Sequence, residues 1–147
     1  MYATTYIRAK DVADAVSQLK GSDEGKLLAG GQTLIPTLKQ RLTSSDRLID
    51  LTDTGLSGIS DEGGSIRIGA MTRHVEVETS KVVKKAIPAL ATLASGIGDR
   101  QVRNCGTIGG SVANNDPSAC YPSALLALGA TVHTVKRDIA ASDYFTG

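Results

Sequence analysis

Aromatic residues are scarce in this 147-residue chain: they make up 3% of the sequence, with one phenylalanine and no tryptophan. Proteins that bind single-stranded nucleic acid stack the bases on aromatic side chains, so the composition disfavours that class. An excess of one charge is also lacking, because sixteen lysines and arginines against fifteen aspartates and glutamates leave a net charge of +1. Nucleic acids and anionic membrane surfaces attract strongly basic proteins. We therefore expect neither of them as a partner.

Cysteines and long apolar runs are few as well. The two cysteines, Cys105 and Cys120, cannot form a disulfide framework or a four-thiolate cluster. No pair of cysteines or histidines has metal-ligand spacing, so no metal site is predicted. No run of eighteen apolar residues could span a membrane, and the start of the chain, MYATTYIRAKD, does not resemble a secretory signal. These features predict a cytoplasmic protein with free thiols.

The first fifty residues alternate between strand and helix patterns. Asp11 and Gly21 mark the two ends of an amphipathic helix, because aspartate caps a first turn and glycine follows a last one. The predicted elements in order are strand 4–9, helix 11–20, buried strand 26–29, helix 34–42 and strand 47–51. This alternation predicts an α/β unit.

The pattern changes after a boundary that we place near residues 52–55. Two strands are expected around a glycine-rich turn, at residues 58–60 and 65–70. Thr72 is expected to cap a short helix and Ser80 a longer one, which Pro88 kinks or breaks.

Residues 96–116 are expected to form a long irregular loop. The remaining predicted elements are helix 117–128, strand 130–135 and a helix that starts near residue 142. The sequence thus predicts two small α/β subdomains, residues 1–54 and 55–147.

Two glycines stand at the turn from the second predicted strand into the second predicted helix, in the segment Ala29-Gly30-Gly31-Gln32-Thr33. Glycines let backbone amides approach a ligand closely, and the helix that follows points its positive end at the same place. Gln32 and Thr33 add side-chain donors. The segment suits a phosphate or a pyrophosphate, and a tight structural turn without a ligand is the alternative.

A second glycine cluster extends from Gly106 to Pro117. Successive amides in such a segment can form an anion-binding nest, and the carboxylate of Asp116 can accept from ribose hydroxyls or an adenine amine. The alternative is a glycine-rich surface loop with Asx turns. Because two clusters suited to phosphate occur in one small chain, we predict one elongated nucleotide ligand.

No acid–base pair or activated nucleophile is recognisable. His74 begins a predicted helix, where we expect a solvated or internally satisfied side chain. No histidine is placed by a motif to activate Cys105 or Cys120. We therefore predict no catalytic residue, and any catalysis would come from a cofactor.

Three motifs occur in order: Leu28 to Pro36, Ile68 to Thr72, and Thr107 to Ser111 followed by Asn115-Asp116-Pro117. Together they resemble the FAD-binding medium subunit of the molybdenum hydroxylases, a family that includes carbon monoxide dehydrogenase and xanthine dehydrogenase. The resemblance covers nearly the whole chain. It implies the vanillyl-alcohol-oxidase-type FAD-binding fold, in which FAD lies between two small α/β subdomains.

The resemblance also implies which residues hold FAD. One segment of each subdomain contacts the pyrophosphate, and an apolar residue lies near the cofactor. Many members bond the adenosine through an aspartate that Cys120 replaces here, and Asp116 is expected to take over part of that role. The implied cofactor-binding residues are Ala29, Gly30, Gly31, Gln32, Thr33, Leu34, Ile97, Thr107, Ile108, Gly109, Gly110, Ser111, Asp116 and Cys120.

The family divides its chemistry among subunits. A large subunit hydroxylates the substrate at a molybdopterin cofactor, and electrons pass through 2Fe-2S clusters on a small subunit to FAD, which delivers them to an acceptor. The resemblance therefore implies the FAD-binding electron-transfer subunit of a molybdenum-containing dehydrogenase, or its N-terminal part. Family members continue into a C-terminal α/β domain that this sequence lacks.

Two alternatives stay open. The chain could be a non-catalytic fragment that keeps the fold and the subunit contacts without binding FAD. It could also belong to the cell-wall enolpyruvyl reductase branch of the same fold. The Ala-Gly-Gly-Gln-Thr segment at residues 29–33 argues against that branch, which typically has Gly-Ser-Asn there.

Overall fold

A computed structural model describes residues 2–145 of the chain. Within that range the strands are β1 (Thr5–Arg8), β2 (Lys26–Leu28), β3 (Arg47–Asp50), β4 (Ile59–Asp61), β5 (Ile66–Ile68), β6 (Thr131–His133) and β7 (Asp138–Ala140). The helices are α1 (Val12–Lys20), α2 (Leu34–Lys39), α3 (His74–Thr79), α4 (Lys81–Ala86), α5 (Pro88–Ser95), α6 (Arg100–Cys105), α7 (Ile108–Asn114), α8 (Cys120–Ala127) and α9 (Ala141–Tyr144).

A three-stranded parallel sheet organises the first part of the chain, with β3 between β1 and β2. Parallel strands need crossover connections, which α1 and α2 supply. Asp11 caps α1 as predicted, because its carboxylate accepts from the Asp14 amide at 2.8 Å. One hydrophobic cluster forms where α1 packs on the sheet, around the fully buried Ala9 and Ile49. The predicted α/β unit is confirmed.

The prediction that β2 is buried is wrong. β2 lies at an edge of the sheet, and Leu27 in its middle is 44% exposed. The apolar run at residues 27–29 therefore reflects a strand that is covered on one face only.

The second part of the chain combines short helices with two antiparallel hairpins, β4–β5 and β6–β7. Its hydrophobic cluster is built from side chains of α3, α4, α5, α7 and α8. The buried members are Val77, Val83, Leu90, Ala91, Ala94, Ile108, Val112 and Tyr121. The predicted division into residues 1–54 and 55–147 places one cluster in each part, and the division itself stays a prediction.

Ser80 caps α4 as predicted, since its hydroxyl accepts from the Val83 amide at 3.3 Å. The predicted interruption at Pro88 is also confirmed, because α4 ends at Ala86 and Pro88 begins α5. Proline fits a first helical position, where its missing amide hydrogen would have no partner.

Thr72 does not cap α3, contrary to the prediction. Its hydroxyl donates to the Gly58 carbonyl and accepts from the Gly58 amide, each at 3.0 Å. It thereby fastens the entry of the β4–β5 hairpin to the start of α3. At the N-terminus of α3, Glu76 instead accepts from the Arg73 amide at 2.7 Å.

The predicted irregular loop at residues 96–116 is wrong, because α6 and α7 occupy most of it. Asp99 caps α6 by accepting from the Val102 amide at 2.8 Å, and Thr107 caps α7 by accepting from the Gly110 amide at 3.1 Å. Strand β7 was not predicted. Helix α9 covers the helix start predicted near residue 142, and residues 146–147 lie outside the described range.

A buried carboxylate ties the edge strand β1 to the end of β3. Asp50 is 9% exposed and accepts from the Tyr6 hydroxyl, from the Thr52 amide at 2.9 Å and from the Thr52 hydroxyl at 2.6 Å. Burial acts to raise the pKa of Asp50, but the hydrogen bonds from Thr52 and Tyr6 outweigh it and leave the pKa below its ordinary value. The charged form of Asp50 therefore stabilises the folded state.

We predict that Tyr6→Phe lowers the free energy of unfolding by about 1 kcal/mol at pH 7, because it removes one hydrogen bond to a carboxylate. Urea denaturation measures this, and Tyr2→Phe is the matched control, since Tyr2 is a similarly exposed tyrosine outside this network.

The lowered pKa means that the stabilisation is present above the unfolded-state pKa of Asp50, about 3.9, and is lost below it. The difference between wild type and Tyr6→Phe should therefore shrink below pH 4, and a constant difference down to pH 2 would contradict the role of Asp50.

Candidate functional site

A cleft of about 750 Å³ brings the two glycine segments together. This volume lies within the range of small-molecule sites. The predicted site residues that line it are Ala29, Gly30, Gly31, Gln32, Thr33, Leu34, Ile97, Thr107, Gly109, Gly110, Ser111 and Asp116. The sequence motifs thus converge on one cavity, although more than seventy residues separate them along the chain.

The first glycine segment is the turn that leaves β2 and enters α2. Gly31 has a φ of +69°, a left-handed conformation that L side chains rarely adopt. The carbonyls of this turn are used within the protein: that of Gly31 accepts from the Ile35 amide at 3.0 Å, and that of Gly30 accepts from the Gln32 side chain at 3.1 Å. The hydrogen bonds that these two carbonyls accept therefore fix the conformation of the turn.

Its donors are free. Among the described residues, the five successive amides from Gly30 to Leu34 donate to no protein acceptor. Backbone amides need partners from protein, water or a ligand. Consecutive unpaired amides at a turn form a concave site for an anion. This part of the cleft is therefore built to accept a negatively charged group.

The second glycine segment lies across the cleft and includes the first half of α7. Three of its amides are bonded within the protein: those of Ile108 and Gly109 donate to the Thr72 and Ala70 carbonyls at 3.0 and 2.8 Å, and that of Gly110 donates to the Thr107 hydroxyl at 3.1 Å. The Thr107 amide donates to no protein acceptor among residues 2–145. The anion nest in this segment stays a prediction, and the amides of Ile108, Gly109 and Gly110 are not available to it. The segment also contributes small side chains and Ser111 to the cleft wall.

The two segments touch where Gly30 packs against Cys105 and Gly106. A Cβ at position 30 would overlap the Cys105 carbonyl oxygen and would lie 2.6 Å from Gly106 Cα. Only glycine permits this backbone-to-backbone contact. The contact joins the two walls of the cleft and sets their distance at this point.

An ion pair holds Ile97 at the cleft. Arg103 on α6 pairs with Glu78 on α3 at 3.0 Å, and both side chains are largely shielded from solvent. The same guanidinium donates to the carbonyls of Ile97 and Gly98 at 3.3 and 3.0 Å. The turn before α6 is therefore fixed, and Ile97 presents an apolar side chain to the cavity.

Three predicted site residues lie at or outside the margin of the cleft. Asp116 lines it, but one carboxylate oxygen accepts from the amide and hydroxyl of Ser118 at 2.9 and 2.7 Å. These bonds hold the pKa of Asp116 below its ordinary value. Ile108 is 7% exposed and belongs to the second hydrophobic cluster. Cys120 is exposed at the start of α8 and does not line the cleft.

Sequence reasoning missed other residues of the cleft wall, among them Lys26, Met71, His74 and Val102. His74 was expected to be solvated or internally satisfied, and the solvated alternative is wrong. It is 5% exposed, and its Nδ1 has no hydrogen-bond partner among residues 2–145. His74 lies two residues after the Ile68–Thr72 motif, and a single histidine there carries no spacing signal.

None of the helices in residues 2–145 is long and apolar enough to cross a membrane. Within the same range, histidine, cysteine, aspartate and glutamate form no group of three or more that could hold a metal ion.

Comparison with known proteins identifies the family. Residues 2–147 match the family described as the FAD binding domain in molybdopterin dehydrogenase. The chain is 38% identical to the glyceraldehyde dehydrogenase medium chain of Sulfolobus acidocaldarius, over 97% of this chain and 53% of that protein. It is 40% identical to the carbon monoxide dehydrogenase medium chain of Afipia carboxidovorans, over 97% of this chain and 51% of that protein.

Solved structures agree with the sequence relationship. Reconstituted carbon monoxide dehydrogenase from Oligotropha carboxidovorans matches 99% of this chain and 53% of its own, with a TM-score of 0.94 and 39% identity. Quinoline 2-oxidoreductase from Pseudomonas putida 86 matches 99% of this chain and 53% of its own, with a TM-score of 0.95 and 32% identity. The predicted fold class is confirmed. The chain spans about half the length of the relatives it matches, and it belongs to the family of FAD-binding domains of molybdopterin dehydrogenases.

Proposed function

We propose that this chain binds FAD and serves as the electron-transfer part of a molybdenum-containing dehydrogenase. The observation that carries the proposal is the run of unpaired amides from Gly30 to Leu34, which faces a cleft large enough for a nucleotide. A pyrophosphate offers negative charge and several acceptor oxygens, and amide donors bond strongly to such oxygens. The residues present therefore fit the cofactor that the family relationship indicates.

Different residues of the chain would bind different parts of FAD. The amides of Gly30–Leu34 hold the pyrophosphate from one wall, while Thr107 and Gly109–Ser111 form the opposite wall. Ile97 adds an apolar contact. Asp116 lies at the cleft margin, and one of its carboxylate oxygens accepts hydrogen bonds from Ser118. We therefore assign its other carboxylate oxygen to a contact with the adenosine. The assignments of Ile108 and Cys120 stay predictions from the resemblance.

FAD, when bound, supplies the conversion between single-electron carriers and an acceptor of electron pairs. We propose that a large subunit with molybdopterin and a small subunit with 2Fe-2S clusters are the partners of the whole protein, which the medium-chain names of its relatives support. No group of metal ligands was found in residues 2–145, and we assign those cofactors to the partners. The cytoplasmic location stays a prediction.

Titration of the purified chain with FAD tests the proposal, with calorimetric heat and quenching of flavin fluorescence as readouts. We expect saturable binding with one FAD per chain. A chain that binds no FAD at high micromolar concentration, yet co-purifies with a molybdenum or iron–sulfur subunit, would favour the non-catalytic fragment instead.

We predict that Gln32→Glu weakens FAD binding about tenfold. The change removes the donor that bonds the Gly30 carbonyl and places a carboxylate beside the unpaired amides, where it competes with and repels the pyrophosphate. A cost of about 1.4 kcal/mol corresponds to tenfold in the dissociation constant. Gln40→Glu is the matched control, because Gln40 is an exposed glutamine at the other end of α2 and outside the cleft. Equal affinities of the two variants would contradict the role of the first segment.

For the second segment we predict that Ser111→Glu also raises the dissociation constant of FAD by about tenfold or more. Ser111 lines the cleft opposite the amides, so a glutamate there occupies ligand space and repels a phosphate. The control is Ser123→Glu, an exposed position on α8 outside the cleft. Thermal melting of both variants shows whether the fold is kept, and unchanged FAD affinity of a folded Ser111→Glu chain would rule out a ligand against this wall.

A further inference from the structure

Two buried polar groups next to the cleft lack hydrogen-bond partners among residues 2–145. They are Nδ1 of His74 and the hydroxyl of Tyr121. His74 is 5% exposed and Tyr121 is fully buried. An unsatisfied buried donor or acceptor costs about 1–3 kcal/mol. Such a pair in a packed core calls for a physical explanation.

The two groups belong to one contact. The rings of His74 and Tyr121 lie against each other, with centroids 5.4 Å apart and planes tilted by 39°. A tyrosine hydroxyl is a donor, and a neutral imidazole has one donor nitrogen and one acceptor nitrogen. Each ring therefore offers the other the partner that it lacks.

The opposite edge of the imidazole faces the junction of the two glycine segments. The backbone amide of His74 donates to the Gly106 carbonyl at 2.9 Å. A Cβ at position 106 would lie 2.6 Å from Nε2 of His74, so only glycine leaves this edge of the ring its space. His74 and Gly106 both line the cleft. Nε2 is thus the nitrogen on the cleft side of the ring.

We propose that Tyr121 donates a hydrogen bond to Nδ1 of His74, which places the imidazole proton on Nε2 and makes His74 a donor to a phosphate oxygen of the ligand in the cleft. The two rings are already in contact, and this bond would give both orphaned atoms a partner. His74 then becomes a binding residue and Tyr121 a positioning residue. The inference rests on the proposed function, because the phosphate belongs to FAD.

The protonation states are in accord with this arrangement. Burial, and then the nearby Arg103 guanidinium, lower the pKa of His74 below its ordinary value, so the imidazole is neutral at pH 7 and carries one proton. Burial also raises the pKa of Tyr121 well above its ordinary value. The hydroxyl therefore keeps its proton and acts as a donor.

Nitrogen NMR of the chain without ligand tests the first step. Long-range proton–nitrogen spectra distinguish the two imidazole tautomers, and the chain has two histidines, so His133→Gln identifies the signals of His74. We expect a protonated Nε2 and an unprotonated Nδ1 in the wild type, and a loss of this preference in Tyr121→Phe. A dominant Nδ1–H tautomer, or an identical spectrum in Tyr121→Phe, would overturn the inference.

FAD and riboflavin titrations test the second step. His74→Phe keeps an aromatic ring of similar size but has no donor, and we expect it to raise the dissociation constant of FAD about tenfold. His74→Gln places an amide donor near the position of Nε2 and should recover most of that loss. Riboflavin has no phosphate, so its affinity should be the same in all three proteins.

The outcomes separate the two proposals. If the wild type binds FAD and a folded His74→Phe chain binds it equally well, the inference fails and the proposed function stands. If the wild type binds no FAD, the proposed function and the donor role of His74 fail together. The imidazole spectrum still decides the tautomer in that case.

Discussion

The cleft depends on one backbone contact, that of Gly30 with Cys105 and Gly106. These residues lie on opposite sides of the predicted boundary between the two subdomains, and any side chain at position 30 would overlap the Cys105 carbonyl oxygen. The distance between the cleft walls is therefore set by main-chain atoms, which have no rotamers with which to relax. Two bonds within the second part of the chain hold its side of the contact in place, because the Gly106 carbonyl accepts from the His74 amide and the Thr72 carbonyl accepts from the Ile108 amide. Such a contact fixes the relative position of the two predicted subdomains, neither of which has a large core.

The two glycine segments look alike in sequence but differ in what they offer a ligand. In the second segment, the amides of Ile108, Gly109 and Gly110 are bonded to protein acceptors. In the first segment, the amides from Gly30 to Leu34 have none among the described residues. A glycine-rich sequence indicates that the backbone approaches another group closely, but it does not say which group. For the second segment that group is another part of the chain, and for the first segment we propose that it is a ligand. The hydrogen-bond inventory makes this distinction, and spacing in the sequence does not.

Local signals predicted the elements whose ends carry their own caps. Asp11 and Ser80 cap α1 and α4 as expected, and alternation in the first fifty residues predicted the α/β unit. The sequence failed where tertiary contacts override propensity. Helix α7 contains two adjacent glycines, which disfavour a helix by about 1 kcal/mol each, yet it forms because Thr107 caps it and its first turn bonds to residues 70–72. Most of the candidate site was predicted, since its motifs are contiguous. His74 was missed, because a single histidine carries no spacing signal and only the fold places it under Gly106.

The scarcity of aromatic residues has a structural counterpart in the cleft. None of the cleft-lining residues within 2–145 is a tyrosine or phenylalanine. Tyr2 and Tyr6 are more than half exposed near the sheet, Tyr121 is buried, and Tyr144 and Phe145 contact each other. Recognition by this part of the chain therefore comes from amides, hydroxyls, apolar groups and the polar side chains of His74 and Asp116. Such groups suit a pyrophosphate and its adjoining sugar, whereas a flat flavin ring is best held by aromatic stacking or by broad apolar surfaces. The chemistry of the cleft thus favours the phosphate portion of a dinucleotide as the part that these residues bind.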